Sequence, residues 1–246
     1  ATMGWDKVSL TARKLMVLSL VTNEFNADAT LNIGDTLARE IAYAFASKED
    51  DCGFLGDGTS TYGGITGINT RLTNVNGVDD GGGIVLGTGN AYSELTLLDF
   101  QKVIARLPQY ADQAPDTAWY FSKTFWGRVV VPLVTAAGGT TATELVNGVR
   151  QQTFLGYPVR ISQKLPSTEA NSQVCALLGS ISLSTDFGDR QGVSIAFSDS
   201  AYVGTTSAFT TDQMAMRGTE RFDINVHDVG SSTAAGPIVG LITAAS

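Results

Sequence analysis

Apolar residues between positions 30 and 55 recur at steps of three and four. Leu31, Gly34, Leu37, Ala38, Ile41, Ala42, Phe45 and Ala46 fall on one side of a 3.6-residue period, while Asp35, Arg39, Glu40, Ser47 and Lys48 fall elsewhere. The pattern predicts one amphipathic helix, about 35 to 40 Å long at ~1.5 Å per residue if it runs on to Leu55. A rod longer than the usual three turns or so needs an extended partner surface. Glu49, Asp50 and Asp51 lie near its C-terminal end, where the helix macrodipole favours cations, so something other than helix electrostatics places them there. Gly53, Gly56, Gly58, Gly63, Gly64 and Gly67 follow, a run of helix termination and turns.

Upstream, residues 5–22 alternate at Val8, Leu10 and Ala12 and are then almost continuously apolar from Leu15 to Val21. This predicts a strand pair or one long bent strand that passes into a buried position. Residues 70–90 read as loop with a short strand at Ile84-Val85. A second amphipathic helix is expected over 93–107, with Leu95, Leu98, Val103, Ile104 and Leu107 on one side, Thr96 and Asp99 as a capping box, and Pro108 as its stop. Residues 118–121 read as a buried strand, and Ser122 as the N-cap of a third helix from 123 to about 131. Residues 135–149, small, polar and glycine-bearing, read as a surface loop. Strands are expected at 159–163, 174–178 and 180–183, a polar loop at 198–212, a long strand over 213–226 broken near Gly218, and a terminal apolar strand over 237–244.

Composition narrows the function. A chain of 246 residues with 43% hydrophobic and 16% charged residues supports one large domain or two lobes. Net charge is -8, and no basic cluster exceeds Arg13-Lys14, so a phosphate-gripping nucleic-acid face is not expected. Cys52 and Cys175 fit no metal-ligand spacing and read as buried thiols of a reducing cytoplasm. No stretch approaches the ~18 apolar residues of a membrane span, and no signal-peptide pattern opens the chain, so a soluble, unexported protein is expected. The first residue, Ala1, fits a trimmed chain or a fragment.

Candidate chemistry is sparse. Gly81-Gly82-Gly83 and Gly87-x-Gly89 lack the Gly-Lys-Ser/Thr or strand–GxGxxG–helix context of a nucleotide site. His227 is the sole histidine, beside Asp228 and without a GxSxG elbow, and reads as solvent-facing at a strand end. Asp50-Asp51 read as solvated or salt-bridged between subunits, and Asp79-Asp80 as a turn, with a divalent ion at a subunit contact as the alternative. The aromatics Trp119, Tyr120, Phe121, Phe125 and Trp126 read as core rather than as a base-stacking platform.

Several pieces in order resemble the tailed-phage major capsid proteins of the HK97 type. They are Asn23-Glu24-Phe25 before the helix, Glu49-Asp50 at its end, Phe54-Leu55-Gly56-Asp57-Gly58-Thr59, and Gly67-Ile68-Asn69. Leu155-Gly156-Tyr157-Pro158-Val159, the run Leu177-Leu178-Gly179-Ser180, Asp189-Arg190-Gln191-Gly192-Val193-Ser194-Ile195 and Glu220-Arg221-Phe222 continue the likeness over nearly the whole chain. The resemblance implies an α+β fold with a long spine helix. It implies a P-domain from 1–66 and 188–229 and an A-domain from 67–187 and 230–246. The N-terminal arm and most of the extended E-loop of that family have no counterpart.

The implied function is a structural subunit, with no enzyme activity and no cofactor or metal. It assembles with copies of itself into hexamers and pentamers of an icosahedral phage head around double-stranded DNA, with no membrane. Scaffold and portal proteins are further implied partners. The resemblance places Gly138, Gly139, Thr140, Thr141 and Glu144 at the capsomer axis, and Asp199, Tyr202, Thr205 and Asp212 against neighbours around threefold positions. Glu49 and Asp50 are assigned to subunit contacts. Family members that cross-link themselves use an asparagine and a glutamate where this chain has Asp212 and Thr219, so no isopeptide chemistry is expected. The rival readings are an encapsulin-like compartment of the same fold and, from another class, a serine hydrolase using His227.

Overall fold

The structure is a computed structural model that describes residues 7–24, 33–136, 143–146 and 149–245. Strand β1, Arg13–Thr22, is followed by helix α1, Ile33–Leu55. The helix ends through Gly56 N–H donating to Cys52 O and a 3-10 turn at Ser60–Tyr62, closed by Gly63 at φ 63°. Helix α2, Ile68–Asn76, replaces the loop expected from residue 70. Its apolar positions Ile68 and Leu72 are buried, and the Asn76 side chain donates to Leu72 O and accepts from Gly83 N–H, tying the helix end to strand β2, Ile84–Leu86.

Helix α3 covers Leu97–Arg106 rather than starting at residue 93. Thr96 is its N-cap, and residues 92–94 form a separate 3-10 turn. Leu98, expected on the apolar side, is 58% exposed. Helix α4, Gln109–Asp112, and strand β3, Ala118–Phe121, come next. The Ser122 hydroxyl accepts from Phe125 N–H at 3.2 Å, as a cap should, and opens α5, Lys123–Phe125. A π turn, Trp126–Val130, leads into α6, Val131–Ala136, so this helical stretch outruns the expected end near 131.

Within the expected surface loop 135–149 the chain forms strand β4, Thr143–Val146, which pairs antiparallel with β5, Val149–Phe154. Strands β6, Tyr157–Ile161, and β7, Val174–Gly179, follow. Residues 180–183, expected as strand, include helix α7, Ile181–Ser184. Asp116 explains the difference. Its carboxylate accepts from Ser180 Oγ at 2.6 Å and from Ser182 N–H at 3.1 Å, which turns the chain. The remaining strands are β8, Thr185–Ser198, the short β9, Tyr202–Val203, and β10, Thr206–Ser207, then β11, Gln213–Val226, and β12, Ile238–Ile242.

The chain divides into two compact units, one of residues 1–49 and 187–224, the other of 50–186 and 225–246. The second unit holds a seven-stranded sheet in the order β2-β12-β7-β3-β6-β5-β4. Only the β12–β2 and β3–β6 pairings are parallel. Strands β7 and β12 are buried at every position, as their unbroken apolar sequences require. One core cluster gathers Trp119, Phe121, Phe100, Phe125 and Phe154, with Trp119 and Phe121 stacked 5.4 Å apart and the indole N–H donating to Phe154 O. The other gathers Ala118, Tyr120 and Leu177 with Phe54, Ile68 and Leu72. The aromatics of 119–126 are core.

Asp99 is the buried polar joint of this unit. Its side chain is fully enclosed and accepts from Thr96 N–H, Thr96 Oγ1, Thr88 Oγ1 and Lys102 Nζ. Burial opposes its ionisation, but these donors outweigh it and hold the carboxyl below its ordinary range.

In the first unit the sheet runs β1-β11-β8. Ile41 and Phe45 of α1 pack on Met216, with Leu15, Val17, Leu37 and Ile195 around them. Gly218 does not break β11. A Cβ there would lie 2.8 Å from Ile41 Cγ2 and 3.0 Å from Phe45 Cε2, so the glycine lets helix and strand approach.

Gly218→Val improves strand propensity, yet it should destabilise the protein by about 1 to 3 kcal/mol through overpacking, measured by urea unfolding. An unchanged midpoint would refute the close approach. Asp99→Ala strands the donors of Thr88 and Thr96 and should cost about 2 kcal/mol in the same assay. Because the folded pKa is lowered, the stability from Asp99 is present above the ordinary aspartate value of 3.8 and is lost as pH falls through the lower folded value. The variant should lack that component of acid unfolding.

Candidate assembly surface

Between β8 and β11 the chain turns twice within fifteen residues. β9 and β10 form a two-residue ladder, Thr206 opposite Val203 and Ser207 opposite Tyr202, around Gly204 at φ 63°. A second turn is built on Ser207, whose carbonyl accepts from Thr211 N–H and from the hydroxyls of Thr210 and Thr211. Ala208 N–H donates to Ala201 O, and Gln213 N–H donates to Ala208 O. Ser207 and Ala208 are therefore buried, and Phe209 between these bonds stands 78% exposed. The turn closes at Asp212, at φ 50°, where Asn23 N–H donates to the backbone oxygen and Asn23 Nδ2 donates to the carboxylate at 2.7 Å.

Asp199, Tyr202, Thr205 and Asp212 share this one loop, all four exposed, Tyr202 to 73%. The other candidates lie elsewhere. Glu144 is on β4, at the edge of the seven-stranded sheet and opposite Gln151. Gly138, Gly139, Thr140 and Thr141 lie outside the described residues. Glu49 is half-buried on α1, and its neighbour Asp50 is exposed. Partial burial raises the Asp50 carboxyl pKa, opposed by Lys164. Asp80 of the Asp79-Asp80 pair holds Arg106 at 3.1 Å, a local ion pair.

Sequence reasoning missed the face beside this loop. The apolar run 15–21 suggests burial on both sides, yet Met16 and Leu18 are exposed. Their cross-strand partners are Thr219 and Arg217. Met16, Leu18 and Arg217, together with Phe197, Tyr202 and Ala215, line an open cleft of about 410 Å³. One row along, Lys14 lies directly opposite Arg221 on the same face, two exposed cations side by side. The signal available in sequence was the basic residues that alternate at 217 and 221, on the opposite parity from Met216, Phe222 and Ile224.

His227 Nδ1 lies 3.6 Å from Asp186 Oδ2, and its backbone N–H donates to Ser184 O. The Ser184 hydroxyl is engaged by Ile181 O and Thr185. Among the described residues no group of three or more His, Cys, Asp or Glu is arranged to hold a metal ion, and no helix is long and apolar enough to cross a membrane.

The exposed aromatics Phe197, Tyr202 and Phe209 gathered about this loop and cleft point to association, and comparison with known proteins agrees. The sequence model of the Phage capsid family matches residues 1–231. The chain belongs to that family. Among solved structures, the capsid of an empty GTA particle superposes with a TM-score of 0.68 at 17% identity, over 98% of this chain and 75% of that one. A solved structure from Microbacterium phage Oxtober96 gives 0.67 at 18%, over 98% and 77%. The SrpI encapsulin of Synechococcus elongatus PCC 7942 gives 0.60 at 14%, over 95% and 74%. No curated protein matches in sequence. The protein is a phage capsid subunit with the HK97-type α+β fold, a structural component of the virion.

Asn23→Ala removes the side-chain clamp on Asp212 while leaving the backbone bond. Amide exchange across 207–213 should rise by up to about tenfold in hydrogen–deuterium exchange, with β11 beyond residue 216 unchanged. Equal exchange in both proteins would show that the clamp does not hold the loop.

Proposed function

We propose that copies of this chain assemble into the hexamers and pentamers of an icosahedral head that encloses double-stranded DNA, built in the cytoplasm of a bacterial host. The observation that carries this reading is the family match over 231 of 246 residues. It is supported by an open apolar face on the first unit and by a net charge of -8, which keeps an inner wall from adhering to packaged DNA. Scaffold and portal proteins would be transient or local partners.

In this reading 1–66 and 188–229 form the P-domain, and 67–187 with 230–246 form the A-domain. Support comes from the chain's two compact units, each drawn from two separate segments. Gly138, Gly139, Thr140, Thr141 and Glu144 would face the capsomer axis, and the loop bearing Asp199, Tyr202, Thr205 and Asp212 would meet neighbours near threefold positions. Glu49 and Asp50 would lie at contacts between subunits. Each subunit is then held by several neighbours at once, so weak contacts sum to a stable shell. The protein performs no catalysis in this role.

A second reading, an encapsulin-like compartment, is favoured only by the likeness to SrpI. Contents separate the two, since a phage head holds nuclease-protected DNA and a compartment holds protein cargo.

Sedimentation of the purified chain, with negative-stain imaging of the same fractions, should show closed shells tens of nanometres across. A species that stays near 25.9 kDa at every concentration would overturn self-sufficient assembly. Boiled, reduced particles should run as a single band on a denaturing gel, because Asp212 is committed to Asn23 and Thr219 carries no acid. A ladder resistant to reduction would refute that reading.

A further inference from the structure

The cleft on the open face of the first unit and the aromatic knob beside it lie on one protomer, yet they do not meet. Phe209 has the highest exposure of any large apolar residue described, and its backbone is fixed on both sides by the bonds to Ala201, Ser207 and Ala208. An exposed ring on a pre-ordered turn has already lost the freedom that association would otherwise cost. That is the profile of an interface anchor, an aromatic presented to a pocket.

We propose that Phe209 of one copy seats in the cleft of the next copy, between Met16, Leu18, Phe197 and Tyr202, with the Arg217 guanidinium against the ring. The proposal rests on the self-assembly reading and names the contact that serves it. Charge favours this occupant. The turn that carries the knob, residues 204–212, contains Asp212 and neither lysine nor arginine, and the cleft wall contributed by 196–203 has no basic residue either, so the cations of the receiving face come from β1 and β11 alone. The receiving face carries Arg217, Arg221 and Lys14, none of which has an ion-pair partner among the described residues. The repulsion between Lys14 and Arg221 is relieved when acidic groups arrive from outside. An aromatic ring beneath Arg217 adds a cation–π contact. Knob and hole are different patches, so the contact is heterologous and closes into a ring when the rotation permits.

The test is a cysteine pair in the full chain, Phe209→Cys with Leu18→Cys. Both positions are exposed, whereas the natural Cys52 and Cys175 are buried and do not compete. Diamide should give the double variant a ladder of covalent oligomers reversible by dithiothreitol, while each single variant stays monomeric on the gel. A 209–209 dimer from the single variant, or no ladder from the pair, overturns the proposal. Wild-type shells without a ladder sink the knob and leave the capsid reading intact. If the wild type never assembles, self-sufficient assembly falls, and the same pair at high subunit concentration decides the knob alone.

Phe209→Ala should keep its fold by circular dichroism and raise the concentration needed for assembly at least about tenfold. Ala196→Trp, which fills the cleft, should do the same. Mixed together, the two variants should form a one-to-one dimer that grows no further. A mixture that stays monomeric counts against the contact.

Discussion

A three-stranded sheet has two faces, and in the first unit one of them is covered by α1. Everything about this unit follows from that imbalance. The covered face is made close by Gly218, which admits Ile41 and Phe45 to within a few ångström of the β11 backbone. The other face cannot be made wholly polar without changing the apolar run of β1, so Met16 and Leu18 stand exposed and line the open cleft together with Arg217. For an isolated monomer this is a liability, since contiguous exposed apolar surface promotes association. For a shell subunit, association is the product.

The second unit solves the opposite problem. Its central strands β7 and β12 are buried at every position, flanked by two clusters of apolar side chains. Asp99 enters this interior with donors from Thr88, Thr96 and Lys102, and Ser180 with the Asp116 carboxylate, whereas Asn69 Oδ1 and Gln173 Oε1 are buried there without a hydrogen-bond partner. Its sheet has edges at β2 and β4, and β4 pairs antiparallel with β5.

How much of this the sequence revealed depended on whether period and punctuation agreed. β3 and β11 were readable because alternation or unbroken apolarity is bounded by capping or turn residues, and the Thr96–Asp99 box was readable as a local motif. Helix α2 was hidden because five of its nine residues are Asn or Thr, poor helix formers whose cost is met by burying Ile68 and Leu72. The helical turn at 181–184 was hidden because Asp116, which caps it, lies 66 residues upstream of Ser182. Gly218 reads as a break in the sequence, since a glycine that ends a strand and one that admits a neighbour look identical until the neighbour is known. For the site, loop position was legible through family resemblance. Phe209 was not, because a phenylalanine among serines and threonines gives no sign of which way it points.

The two cysteines carry a consequence of a different kind. Both are buried, and burial pushes the Cys175 thiol up to about 12, leaving almost no thiolate at any biological pH. Thiolate is the species that attacks disulfides and peroxides, and a thiol held protonated in the core is inert to both. A virion is made in a reducing cell and then spends its life outside, in oxygen. A subunit whose two thiols are buried in this way enters an oxidising medium without offering a cysteine for disulfide exchange.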